Sequence, residues 1–205
     1  MPSGCEVAMK EKLTVGFAFC GSFCTLSRAI EAMKRLAEDY DVIPIFSERM
    51  ASTDTRFGKA EAITDTIVKI AKHTPITTIT EAETVGPQKL FDLLVIAPCT
   101  GNTLAKLANG IIDSTVPMAA KAHLRNERPL LLALASNDAL STGLLNVATL
   151  TVRKHCYFVP LSQDDPWQKP FSLVAHFDLI PEAAKAALAG KQLQPMLLSP
   201  PVQRT

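Results

Sequence analysis

The residues best suited to chemistry stand in short polar clusters, each placed directly after an apolar run: Gly21-Ser22, Ser47, Thr100-Gly101-Asn102-Thr103 and Ser136-Asn137. Hydroxyls, a carboxamide and glycines in such places donate hydrogen bonds and let a ligand approach the backbone, which is what holding a phosphate or carboxylate oxygen requires. The fullest cluster follows Leu93 to Ala97, an unbroken apolar run of the kind a strand buried on both faces needs. Pro98, with no N–H for the ladder, predicts the end of that strand. Beyond the cluster, Leu104, Leu107, Ala108, Ile111 and Ile112 recur at helical spacing, so it sits where a strand gives way to a helix. A helix start leaves N–H groups unpaired and carries partial positive charge. No carboxylate occurs from Leu93 to Ile112 and Lys106 stands one turn into the helix, so an anion there meets little repulsion. Ordinary helix capping would use the same Thr100, Asn102 and Thr103.

The elements that must position these clusters follow from periodicity and punctuation. Leu13 to Cys20 reads as a first strand, with a helix from about Thr25 to Asp39. Asp41 to Ser47 reads as a second strand in which Pro44 marks an edge or a bulge. A helix carries Ile63, Ile67, Ile70 and Ala71 on one face, Ile76 to Ile79 is a short strand, and Thr80 to Leu90 is a loop. Val116 to Asn126 forms a helix with Pro117 in its first turn, and Pro129 to Ala135 is the next buried strand. An apolar helix near Leu140 to Val152, a strand from Tyr157 to Leu161 and a closing helix from Leu173 to Ala189, broken or restarted at Pro181, complete the series.

Alternating strands and helices predict an α/β fold: a three-layer, doubly wound parallel sheet spanning residues 13–189, between an N-terminal extension (1–12) and a proline-rich tail (190–205). Ligands of such sheets bind outside the carboxyl ends of the strands, where strand order reverses. All four polar clusters fall on that edge. The segment Ser52 to Lys59 reaches it too, bringing Arg56, whose planar fork suits a carboxylate or phosphate and which is equally at home as a solvated loop arginine.

Bulk composition narrows the classes. In 205 residues, 47% hydrophobic content provides for a sizeable core, and a net charge of +1 with scattered charges gives neither a nucleic-acid stripe nor an acidic tail. The five cysteines include no Cys-x-x-Cys pair and lack the histidine spacing of a zinc site, so no metal centre and a reducing cytoplasm are expected. Met1 to Lys12 lacks the apolar stretch of a signal peptide, and no apolar run approaches the roughly 20 residues that span a bilayer. His73, His123, His155 and His176 stand in no nucleophilic or metal pattern, and Cys20 and Cys99 read first as small buried hydrophobes. Asp164-Asp165, ahead of Pro166, suits a turn before it suits acid/base work.

Taken together, Gly21-Ser22 and Ala97-Pro-Cys-Thr-Gly-Asn-Thr-Leu-Ala-Lys-Leu-Ala-Asn-Gly-Ile-Ile-Asp113 resemble the superfamily of homo-oligomeric flavin-containing decarboxylases and flavin prenyltransferases. The nearer resemblance is to the branch that holds the B subunits of dipicolinate synthase. It runs through Thr53-Asp-Thr-Arg-Phe-Gly-Lys59, Met118-Ala-Ala-Lys-Ala-His-Leu-Arg-Asn126, Ser136-Asn-Asp-Ala139, Gln163-Asp-Asp-Pro166, Lys169-Pro170 and Gly190-Lys-Gln-Leu-Gln-Pro195, and covers Leu13 to Pro195. The resemblance implies a flavodoxin-like Rossmann fold and an FMN phosphate near Ser22, Ser47 and Thr100 to Thr103. It also implies a homo-oligomer and a nicotinamide-dependent (NAD(P)) A subunit, with which the chain oxidises a dihydrodipicolinate-type ring to the aromatic dicarboxylate in sporulation. Arg56, Lys59, Lys106 and Arg125 are the cations available for that dianion. Two departures stand out. The Pro-Ala-Met-Asn of the decarboxylase branch is Leu134-Ala-Ser-Asn137 here, and the basic residues of the prenyltransferase branch are replaced near Met118 and Ser136. They leave a synthase component as the first reading, a non-catalytic, substrate-presenting partner with a vestigial flavin site as the second, and an FMN-dependent decarboxylase as the third.

Overall fold

The computed structural model describes residues 12–56 and 58–199. Five strands run parallel: β1 (Thr14–Phe19), β2 (Asp41–Phe46), β3 (Leu93–Cys99), β4 (Leu130–Ser136) and β5 (Cys156–Phe158), in the spatial order 2-1-3-4-5. That is the flavodoxin-like order of a doubly wound sheet. Two short strands, β6 (Leu161–Ser162) and β7 (Leu173–Ala175), extend it, and β7 lies antiparallel to the carboxyl tip of β4, with Ala135 opposite Val174 and Ser136 opposite Leu173. The sheet is therefore mixed where an all-parallel one was expected. Leu173 to Ala175, expected as the first turn of the closing helix, pairs with β4 as a strand instead; the helix proper, α8 (Ile180–Leu188), begins at the restart that Pro181 marks.

The helices are α1 (Leu26–Asp39), α2 (Glu48–Ser52), α3 (Ala60–Ala71), α4 (Ile79–Glu83), α5 (Gly101–Asn109), α6 (Thr115–Leu124) and α7 (Leu144–Thr151), with α8 closing the series. Right-handed crossovers that step one way from β1 to β2 and the other way from β3 to β4 must lie on opposite faces. Accordingly α1 packs with α8, while α4, α6, α5 and α7 pack in a row. With both faces covered, all of β3 and all but the last residue of β4 are buried, which is why these strands are written as continuous apolar runs. Gly16 in β1 has no room for a side chain: a Cβ there would lie 2.6 Å from the Phe91 ring.

Three local expectations meet the structure as follows. Pro98 does not end β3; the strand continues to Cys99 through a register shift against β4, the bulge being what tolerates a residue without an N–H. Ile76 makes only a single bridge to Ile45, and the supposed loop after it contains α4, started by a capping box in which Thr78 and Glu81 bond each other's backbone. Pro44 does mark an edge, since its carbonyl faces outward to Ile76 N at 2.9 Å. Of the tail, residues 190–199 are described. Gln192 bonds both the N–H (2.8 Å) and the carbonyl (2.6 Å) of Phe158, and Leu197 bridges Leu161. The expected extension at residues 1–12 lies, apart from Lys12, outside the described residues.

At the amino edge, Asp92 accepts from Thr14 N at 2.9 Å and pairs with Arg128 at 3.3 Å, and the buried His123 ring donates through Nε2 to the Pro129 carbonyl at 2.8 Å. Burial pushes the His123 pKa from 6.5 down to about 4, the Pro129 bond opposing and Arg128 reinforcing the shift. Between those two values the unfolded chain binds a proton that the folded chain refuses, so stability falls as pH drops from about 6.5 toward 4, by up to about 1.4 kcal/mol per pKa unit. Urea unfolding across that range should show the slope, and His123→Gln should flatten it.

Candidate functional site

Between β1 and β3 the chain leaves the sheet in opposite directions, β1 toward β2 and β3 toward β4. At the carboxyl ends of these two strands lies a cavity of about 580 Å³, within the size range of small-molecule sites. The loop after β1 supplies Cys20 and Gly21, that after β2 supplies Ser47, Glu48 and Arg49, and the start of α5 supplies Thr100, Asn102, Thr103 and Lys106. The start of α6 closes the wall with Ser114, Val116 and Pro117.

Each donor is positioned locally. Thr100 caps α5, its Oγ1 accepting from Thr103 N at 3.2 Å, and Ser47 caps α2, its Oγ accepting from Met50 N at 3.3 Å. Ser22 Oγ accepts from Thr25 Oγ1 at 3.1 Å. A hydroxyl that already serves as acceptor keeps its own proton to donate, so Ser47 retains an O–H for an oxyanion, while the Ser22 hydroxyl also meets Cys24 Sγ at 3.7 Å. The first N–H groups of α5 have no carbonyl within their helix to bond. Gly101 explains how this helix start comes so close to β4: a Cβ there would stand 2.7 Å from Ser136 Oγ. Ser136 in turn donates to Asp138, and Asn137 is exposed beside it.

The structure thus brings together Gly21, Ser47, Thr100, Asn102, Thr103 and Lys106 in the cavity wall, with Ser22 and Ser136 adjoining it. The exposed Arg56 and Lys59 stay on the α2–α3 connection, outside the lining; Lys59 precedes α3 as its N-cap. Arg125 does not join the other cations. It follows α6 at the far edge of the sheet, next to Asn126, which bonds the Gly86 carbonyl, and it lines a separate hollow with Glu83 and Lys121. The part of α6 beyond Pro117 separates it from the cavity wall, because the α6 start and the α6 end face opposite edges.

The expected freedom from negative charge is also corrected. Glu48 lines the cavity from the first turn of α2, and Asp113, one residue past the carboxylate-free stretch, pairs with Lys106 at 2.7 Å. The Lys106 hydrogen bond holds the Asp113 carboxyl below its ordinary range. Sequence reasoning missed Glu48 and Arg49. Glu48 Oε1 accepts from both Thr115 N and Thr115 Oγ1 at 2.9 Å, tying α2 to the start of α6, and the only sequence signal was an acid in the first turn after a serine cap. Arg49 places a guanidinium at the rim, packed by its stem near Gly21.

Cys20, in the cavity wall, and the buried Cys99 near it are free thiols. Burial pushes Cys20 up to about 11 despite a 3.3 Å hydrogen bond from Thr103 Oγ1, and burial together with the neighbouring Cys20 pushes Cys99 well above the ordinary thiol value. None of the four histidines lines the cavity: His73 pairs with Asp41, His123 with Pro129, and His176 with Ser162 at 2.8 Å. What the arrangement offers chemically is a set of oriented hydroxyl, amide and cationic donors around a cavity of small-molecule size, with no imidazole among its lining residues. Because Thr115 is fully buried, Glu48→Ala leaves its N–H without a partner. The variant should lose about 1–3 kcal/mol of stability in urea unfolding, and Glu48→Gln, which keeps an acceptor, should lose less.

The sequence profile of the Flavoprotein family matches residues 5–146. The B subunit of dipicolinate synthase from Bacillus subtilis (strain 168) is 41% identical over 185 residues, which cover 90% of this chain and 92% of that protein. A crystal structure of the corresponding dipicolinate synthase B subunit from Bacillus halodurans C superposes with a TM-score of 0.85 at 39% identity, covering 93% of this chain and 98% of that one. The FMN-dependent cysteine decarboxylase SpaF shares the fold at a TM-score of 0.58 and 20% identity, over 88% of this chain and 97% of its own. A cavity at the β1–β3 reversal and identity running through nearly the whole chain lead to the same place: this chain belongs to the flavoprotein family, in the branch that holds the B subunits of dipicolinate synthase.

Proposed function

We propose that the chain is the flavin-type B subunit of a dipicolinate synthase, working with a nicotinamide-dependent A subunit to oxidise dihydrodipicolinate to dipicolinate during sporulation. The observation that carries this reading is the hydroxyl-lined cavity at the strand-order reversal, in a chain 41% identical to such a protein over nearly its whole length. Its donor set fits FMN: the hydroxyls of Ser22 and Ser47 and the α5 start suit a phosphate, with Thr100 and Thr103 fixing that start. Gly21, Asn102, Ser136 and Asn137 are assigned to the rest of the cofactor. The chemistry such a flavin supplies is two-electron transfer.

The chain's own residues bind and orient. Arg49 and Lys106 are the cavity's cations for a small dicarboxylate, Lys106 held in place by Asp113. Arg56 and Lys59, on the connection after α2, supply further positive charge nearby, and Arg125 is set aside by its position. Glu48 ties α2 to the α6 start, fixing the side of the cavity that Ser114, Val116 and Pro117 form. A second reading, a substrate-presenting partner with a vestigial flavin site, is favoured by one observation: no histidine lines the cavity, and its cysteine is protonated.

The protein as purified should show the visible absorption of oxidised flavin, and dipicolinate formation by the co-expressed subunits should require this chain. Asn102→Ala should lower product formation about tenfold, the effect of leaving one buried hydrogen-bond partner unsatisfied, while association with the A subunit is retained. A colourless protein that still supports full activity supports the substrate-presenting reading instead.

A further inference from the structure

The chain's single tryptophan, Trp167, is 60% exposed, and Phe171 is 55% exposed. Both stand on residues 163–172, between β6 and β7, where two large rings in water forgo the stabilisation that burial brings. The segment is firmly held. Lys169 N donates to the Asp165 carbonyl at 2.8 Å, Gln168 N to the Asp165 carboxylate at 3.0 Å, and Gln163 Nε2 to the Pro170 carbonyl at 2.9 Å. Leu140 N donates to the Phe171 carbonyl at 2.9 Å, and Asp164 takes both the buried Ser172 hydroxyl and, at 3.1 Å, the Lys169 ammonium. The rings are thus carried on backbone whose ordering cost is met by folding, the condition that makes an aromatic contact strong on binding.

The segment also has a definite place. It leads into β7, whose Leu173 pairs with Ser136 at the carboxyl tip of β4. It therefore flanks the edge on which the cavity opens. Its charged groups are two carboxylates, Asp164 and Asp165, against one ammonium, Lys169.

We propose that the Trp167–Phe171 segment is the docking surface for the A subunit, which meets it with an apolar patch rimmed by cations. This rests on the functional reading above, in which the two proteins share one reaction and must meet near the cavity mouth. Charge argues against a twofold contact with a second copy of this chain: with Asp164 paired to Lys169, such a contact would set the remaining carboxylate, Asp165, against its own image. A surface without that conflict is exposed elsewhere, on α7 and its end, where Leu144, Leu145 and Val152 are exposed and no residue from 144 to 152 is charged.

The test uses the full chain labelled with 5-fluorotryptophan, titrated with unlabelled A subunit. The single fluorine resonance should shift or broaden on addition. The double variant Trp167→Ser/Phe171→Ser should bind that partner at least roughly thirtyfold more weakly, the effect of one hot-spot residue worth about 2 kcal/mol, while keeping wild-type circular dichroism and visible spectrum. Leu145→Ser, on α7, should bind it as wild type does. A complex that forms with no change in the resonance, or a double variant that binds normally, overturns the assignment and leaves the synthase reading standing. Loss of self-association alone in the double variant overturns it in favour of a second copy. If the wild-type chain and the A subunit do not associate at all, the functional reading fails and this surface with it.

Discussion

Everything at the candidate site depends on one topological constraint: β1 and β3 are hydrogen-bonded neighbours whose chains depart to opposite sides. Where neighbouring strands feed crossovers of opposite sense, no helix can cover the gap between their carboxyl ends, and the loops there must satisfy their own polar groups. Thr100 capping α5, Ser47 capping α2 and Glu48 bonding Thr115 are three solutions to that single problem. The residues that stabilise the edge and those available to a ligand are consequently the same residues.

Charge at the cavity is balanced, not uniformly positive. Glu48 is occupied by two donors from Thr115, and Lys106 by Asp113, so both enter the site as positioned groups. Arg49 at the rim and the α5 start supply the positive character. Cys20 lines the cavity as a thiol because burial there costs a thiolate more than its hydrogen bonds return. The cavity's polarity therefore comes from oriented hydroxyls and amides, a set suited to binding, with proton and electron transfer left to what binds there.

The far end of the sheet solves a different problem. The three-residue β5 covers only the amino half of β4, so the tip of β4 would stand unpaired, and β7 fills it from the opposite direction. The outer edge of β5 is closed in turn by the Gln192 carboxamide, which bonds the N–H and carbonyl of Phe158 as a neighbouring strand would. One result of this patchwork is that residues 163–172, between β6 and β7, are held out at the same edge as the cavity.

The local code was legible wherever a residue's chemistry acts on its immediate neighbours. The apolar runs of β1, β3 and β4, the helical spacing of α1 and α5, the polar turns between them and the edge position of Pro44 were all readable in order along the chain, and so was the convergence of Gly21, Ser47 and Thr100 to Thr103. Short elements were not. Leu173 to Ala175 carries too few residues to show a period, and only its partner in β4 makes it a strand. Glu48 and Asp113 entered the site, and Arg125 left it, for a related reason: a charge acts through space, and its neighbours are set by helix length and strand order. Residue order alone settles which long segments are strands, which turns are polar and which family they belong to, because those properties are written in consecutive residues. Which charges meet is settled only in the folded chain, since that depends on where distant segments are brought together.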